Sequence, residues 1–176
     1  IMQAVDVLQQ LHGLDLIDHK RFSTQLEQCC VNLQAWLLHY LPKTEQFIAD
    51  RYIDEARFKQ FWQQKFPHPQ VVSADLSWYV IQHWIKGHQH APIPLWYKHQ
   101  TDYYGLDVHV LNYIEQYIWQ GWYKPLLAQG YWDQQDLIAY ALQHPQSFPE
   151  YQALLVDDTQ SYSQNTLQLM MGRCLS

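Results

Sequence analysis

Only one segment of this chain reads as a strand, and it stands among helices. Ala153-Leu154-Leu155-Val156 is a short apolar run that leads straight into Asp157-Asp158-Thr159-Gln160. An apolar run of this kind fits a short buried strand over 152–157. One buried strand cannot form a sheet by itself, because its edges leave backbone groups unpaired. Either partner strands come from outside the chain, or the segment is a coincidence within a generic all-α domain.

The rest of the sequence carries helical periodicity. Residues 2–12 form a short stripe closed by Gly13. Over 22–41, Phe22, Leu26, Cys29, Cys30, Leu33, Trp36, Leu37 and Tyr40 recur at helical spacing before Pro42. Thr44 is the expected N-cap of a third helix, with Phe47, Ile48, Phe58, Phe61 and Trp62 inward and Pro67 and Pro69 beyond its end. Ser73 caps a fourth, carrying Leu76, Tyr79, Val80, His83 and Trp84 and closed by Gly87. A polar, proline-containing loop over 88–100, with one turn at 95–99, precedes a long helix over 106–129. Leu111, Ile114, Ile118, Trp122 and Leu126 form its apolar face, Pro125 kinks it or marks its last turn, and Gly130 ends it. Asp133 opens the next helix, through Leu142 to Pro145. Ser161 or Ser163 caps a final helix with Leu167, Leu169, Met170 and Leu175.

Composition narrows the function classes. The 176 residues are 48% hydrophobic and only 16% charged, which supports a packed core and argues against disorder. Eight Trp and thirteen Tyr either fill the spaces between helices or stack on nucleic-acid bases. Net charge is −6 with 11 Lys plus Arg and no basic cluster, so the chain lacks the footprint of an autonomous nucleic-acid-binding domain. Three cysteines, Cys29, Cys30 and Cys174, make no disulfide framework and point to a reducing, cytoplasmic setting. Cys29 and Cys30 fall on an apolar helical face, where buried inert thiols are expected. No apolar run approaches membrane-spanning length, so no membrane partner is expected. The first residue is Ile rather than Met, consistent with a piece of a longer protein.

Several constellations are open to chemistry. Two acids at a strand tip can hold a divalent cation and orient or deprotonate a water, the Walker B arrangement; a strand ending in a solvated acidic turn is the equally simple alternative. Asp133 and Asp136 share one side of a helix start, where negative charge is favourable without any catalytic role. His83, His88, His90 and His99 include a His-x-His spacing, but no Cys or acid sits at zinc-like spacing beside them. No nucleophile-elbow motif is present.

Read in order, the segments resemble superfamily 1 DNA helicases of the UvrD/Rep type. The residues that carry the resemblance are Asp75-Leu76-Ser77-Trp78 with His83-Trp84-Ile85-Lys86-Gly87, and the aromatic helix Tyr113–Tyr123. They continue in Asp133-Gln134-Gln135-Asp136-Leu137 and in Leu155-Val156-Asp157-Asp158-Thr159-Gln160-Ser161. The match covers about residues 74–176; the first 73 residues fit only loosely. It implies a mainly α fold: a helical subdomain over 1–150, then over 151–176 the motif II (Walker B) strand and helix, a small piece of an incomplete RecA-like α/β sheet.

By position, the resemblance assigns Asp157 to the Mg2+ of MgATP, Asp158 to the water-activating acid, and Gln160 to sensing the γ-phosphate and linking hydrolysis to movement on DNA. The implied partners are DNA and the remaining helicase domains. Exposed aromatics and Lys86, Lys98 and Lys124 are the groups expected to face DNA. The sequence also departs from the family. Asp158 stands where the family has Glu, so its carboxylate falls about 1 Å short, a misplacement that can cost on the order of 100-fold in rate. Ser161 replaces a closing Asp, and the chain contains no Gly-x-x-x-x-Gly-Lys-Ser/Thr loop. The chain alone is therefore expected not to hydrolyse ATP. The alternative is a non-catalytic helical interaction domain derived from a degenerate helicase.

Overall fold

The structure is a computed structural model that describes residues 32–40, 47–68, 70–88, 107–151, 154, 156 and 159–174, with Gln160 by its backbone only. The chain divides into two units, Ile1–His39 and Tyr40–Ser176. Of the first, the described part is most of helix α1, Leu33–Tyr40, in which Leu37 is buried. Asn32 starts it by accepting a hydrogen bond on Oδ1 from the Ala35 N–H at 2.7 Å. The expected helix over 2–12 and the pair Cys29 and Cys30 lie outside the described residues.

The second unit is mainly α. Helix α2 spans Glu55–Lys65 and is capped by Asp54, whose carboxylate accepts from the Arg57 N–H. Thr44, the expected cap, lies outside the described residues, and the chain over 47–54 is not α-helical. Ala49–Arg51 forms a single tight turn instead. The chain then pairs backbone to backbone with Trp132: Ile53 N–H donates to Trp132 O at 2.7 Å and Trp132 N–H to Arg51 O at 3.1 Å. That pairing extends the chain at Tyr52–Ile53 and delays the helix to Asp54.

Helix α3 spans Ala74–Val80, capped by the Ser73 hydroxyl as expected, and continues as a wide π turn over Ile81–Ile85. The turn closes i→i+5, with Lys86 N–H donating to Ile81 O at 2.8 Å. Helix α4 runs from Val108 to Leu127 in one rod. Its middle, Ile114–Tyr123, is π-helical, and Pro125 sits in its last turn. Helix α5 spans Gln134–Gln143 and helix α6 spans Gln164–Met171, with Ser163 rather than Ser161 as the cap.

The core gathers Phe58, Trp62, Val80, Ile81, Trp84, Leu111, Ile114, Ile118 and Tyr123 from α2, α3 and α4, with Ile53 from the extended segment before α2. Phe58 sits at its centre, with ring centroids of Trp78, Trp122 and Tyr123 at 5.0, 5.3 and 5.2 Å. Such tilted and edge-on pairs each add modestly to area burial. Trp62, Trp84, Trp119 and Trp132 are buried, and Tyr79 and Tyr117 are the exposed aromatics among the described residues. The aromatic richness of the described part thus goes mostly into packing.

No described residue lies in a strand; the isolated β-bridges among the described residues are Tyr52 with Trp132 and Tyr151 with Cys174. Of the expected strand over 152–157, Leu154 and Val156 are described, both half-buried and outside regular structure. No described helix is long and apolar enough to cross a membrane.

Candidate functional site

The described part of the molecule converges on Asp133. Its sequence position explains the first half of its role. Asp133 precedes α5, and its Oδ1 accepts from the N–H groups of Gln135 and Asp136 at 2.9 and 3.3 Å. Asp136 returns the bond, its Oδ2 accepting from the Asp133 N–H at 2.8 Å. This reciprocal capping box satisfies orphan donors of the first turn and places both charges at the favourable end of the helix. The helix-start reading of these two acids holds.

The second half was not legible from spacing. Asp133 is fully buried, and its other oxygen accepts three donors from two other helices. Gln82 Nε2 and Tyr123 OH each lie 2.9 Å from Oδ2, and Lys86 Nζ lies 2.7 Å away. Lys86 Nζ also reaches Asp136 Oδ2 at 2.8 Å. One ammonium thus bridges two carboxylates, and every charge in the group has a partner. Two of the donors reach it because of the wide turns. Gln82 lies within the π turn of α3, and Tyr123 is the last residue of the π stretch of α4. An α-helical count carries the α4 face from Ile118 to Trp122; turns closed i→i+5 space inward positions further apart and bury Tyr123 fully, with Trp122 half-buried beside it.

The electrostatics follow from burial and the shared ammonium. Burial alone would raise the Asp133 carboxyl. The Lys86 charge and the hydrogen bonds from Lys86, Gln82 and Tyr123 outweigh it and hold the group below the usual carboxylate range. Asp136 goes the other way: burial and the neighbouring Asp133 charge raise it despite Lys86. Burial, reinforced by Asp133, pushes the Tyr123 phenol well above its ordinary value. Burial, with the charges of Asp133 and Asp54, also lifts Tyr52, to about 12. At neutral pH the Tyr123 phenol keeps its proton and donates it to Asp133, and the cluster forms a polar joint between helices.

The joint extends to α6. Ser163 Oγ donates to Gln135 Oε1 at 3.2 Å. It also lies 3.2 Å from the Thr166 N–H it accepts. Asn165 donates twice to consecutive carbonyls at the end of α3, from its backbone N–H to Gly87 O at 2.8 Å and from Nδ2 to Lys86 O at 2.9 Å. The starts of α5 and α6 and the end of α3 therefore meet in one place.

The residues singled out from the sequence fare differently. Asp157 and Asp158 lie outside the described residues, as do Lys98, His90 and His99. The Gln160 backbone lies in a tight turn over Thr159–Ser161. Lys86 is not a DNA-facing lysine: its side chain is 9% exposed and held between two carboxylates. Lys124 is exposed. His83 packs on the Tyr79 ring at 4.5 Å, and burial lowers its pKa. Burial also lowers His88, against a hydrogen bond with Gln164. Among the described residues no group of His, Cys, Asp and Glu is arranged to hold a metal. Cys174 is exposed and not in a disulfide. No protein-family model, curated protein or solved structure matches the chain.

Proposed function

We propose that the chain is part of an ATP-dependent superfamily 1 DNA helicase or translocase, comprising the helical insert of its first RecA-like domain and the motif II strand and helix. One observation supports the reading above the others. Lys86, Tyr123, Asp133 and Asp136 come from three separate segments that carry the resemblance, and all four meet around one buried carboxylate. Helix α6, which the resemblance puts after motif II, starts at the same place. Segments chosen for their order along the chain thus also belong together in space, as parts of one machine would.

In the intact protein Asp157 would hold the Mg2+ that accompanies ATP, which would neutralise developing phosphate charge. Asp158 orients the attacking water from a carboxylate one methylene shorter than the family's. Gln160 responds to the γ-phosphate. The RecA-like sheet that would pair with 152–157, and the phosphate-binding loop, belong to the remaining helicase domains. The second reading, a non-catalytic helical interaction domain, draws support from the engagement of Lys86 and the core placement of most described aromatics, both of which remove candidates for DNA contact.

The coding sequence upstream of Ile1 separates the two. The helicase reading expects a strand followed by Gly-x-x-x-x-Gly-Lys-Ser/Thr there. A complete reading frame without that loop leaves only the interaction domain.

A further inference from the structure

The carbonyl end of α3 and the N–H end of α6 cap each other. Carbonyls in the last turn of one helix and N–H groups in the first turn of another lack partners within their own helices. Here Asn165 supplies Gly87 O from its backbone N–H at 2.8 Å and Lys86 O from its side chain at 2.9 Å. The opposed partial charges of the two helix ends strengthen the contact. The approach is backbone-close: a Cβ on Gly87 would lie 2.5 Å from the Ser163 Cβ and 2.5 Å from Gln82 O. The Lys86 side chain leaves this contact in the other direction, into Asp133 and Asp136 at the start of α5. An axial shift of α3 must therefore carry the start of α6 with it or break both Asn165 bonds.

Asn165 is 5% exposed, and its Oδ1 has no hydrogen-bond partner among the described residues. A buried polar atom left unsatisfied is an exception that calls for a reason. The donor half of the same amide supplies one: it ties α6 to the turn after α3.

We propose that Asn165 and Gly87 form a positioning contact that transmits displacement of the helical insert to the motif II segment, an inference that rests on the helicase reading above. Ser163, the cap of α6, stands three residues after Gln160 in the chain. DNA that shifts the insert thereby alters ATP turnover through α6. Neither residue touches a reacting group; both act by alignment.

The test uses the intact protein, with ATP hydrolysis measured with and without single-stranded oligothymidylate. Asn165→Leu keeps the backbone bond and approximate volume, removes the tie to Lys86 O and removes the unpartnered oxygen, so it spares the fold. Gly87→Ala wedges the contact apart. Each variant is expected to lower DNA-stimulated kcat on the order of 5- to 10-fold. The DNA-free rate and the KM for ATP stay within about twofold. A folded Asn165→Leu protein with unchanged stimulation overturns the inference, and so does a parallel fall of both rates. A wild-type protein without ATPase activity overturns the helicase reading and the inference together; an active wild type with unaffected variants overturns the inference alone.

Discussion

Asp133→Ala removes the acceptor that five donors share: Gln82 Nε2, Lys86 Nζ, Tyr123 OH and the N–H groups of Gln135 and Asp136. Breaking a buried ion pair from one side costs about 3–5 kcal/mol. Lys86 keeps Asp136 at 2.8 Å, which places this part near the lower end. Tyr123 OH and Gln82 Nε2 are left buried without that acceptor, at about 1–3 kcal/mol each, and the α5 cap adds about 1 kcal/mol. These losses share one site and do not add in full. A total of about 4–6 kcal/mol is a large part of an ordinary folding free energy of about 5–15 kcal/mol. With a urea slope of about 2 kcal/mol per molar, the unfolding midpoint drops by about 2–3 M. Tryptophan fluorescence reports the transition, since most described indoles are buried or half-buried. The double variant Lys86→Met/Asp133→Ala loses at least about 1 kcal/mol less than the sum of the single variants, because it removes both charges together. A midpoint shift below about 0.5 M for Asp133→Ala, or strict additivity with Lys86→Met, would refute the account of the joint.

Other outcomes follow from the same geometry. The folded protein holds Asp133 below its ordinary value, so its stabilisation is present above about pH 4 and lost as pH falls further. Asp136 is raised and has the opposite sign: its protonated form favours folding, and that contribution is lost as pH rises from about 4 through its folded value. The urea midpoint should therefore fall on acidification below about pH 4, and Asp136→Asn should remove a decline on the alkaline side of that point; superimposable profiles would count against the assignment. Gly130 has φ +91° with the Arg51 guanidinium against the position a Cβ would take. The guanidinium can move but the backbone cannot, so Gly130→Ala should cost about 1–2 kcal/mol and lower Tm by roughly 3–6 °C in calorimetry. Trp132→Phe keeps a ring beside Phe47 and Tyr52 but loses the bond from Nε1–H to Ile48 O at 2.7 Å. Chemical denaturation should show a loss of about 1–3 kcal/mol; no loss would mean the indole N–H is dispensable.

Local signals in the sequence carried much of the described fold. Ser73, Asp133 and Ser163 precede helical stripes with short polar side chains, and each caps a helix as its chemistry dictates. Pro67, Gly130 and Pro145 mark helix ends because they cannot continue the ladder of N–H bonds or because they admit a left-handed turn. The start of α2 falls later than expected because Phe47 and Ile48, apolar at helical spacing, lie in a segment that turns back to meet Trp132. A pairing between residues about eighty positions apart has no local signature. The polar joint was half legible. Asp133 and Asp136 announced a helix start, but nothing at helical spacing places Gln82 and Tyr123 opposite them, because two π segments shift the register. Lys86 also departs from its expected place facing DNA: a lysine beside a glycine at a helix end looks solvent-facing, but the buried Asp133 carboxylate claims it.

ATP hydrolysis by the intact protein tests the central claim most directly. The wild type should turn over ATP in a Mg2+-dependent reaction accelerated by single-stranded DNA. Asp157→Ala should abolish it, and Asp158→Glu should raise the rate by restoring the reach of the water-orienting carboxylate, on the order of up to 100-fold. A wild-type protein with no DNA-stimulated hydrolysis, or activity that survives Asp157→Ala, would contradict the helicase reading.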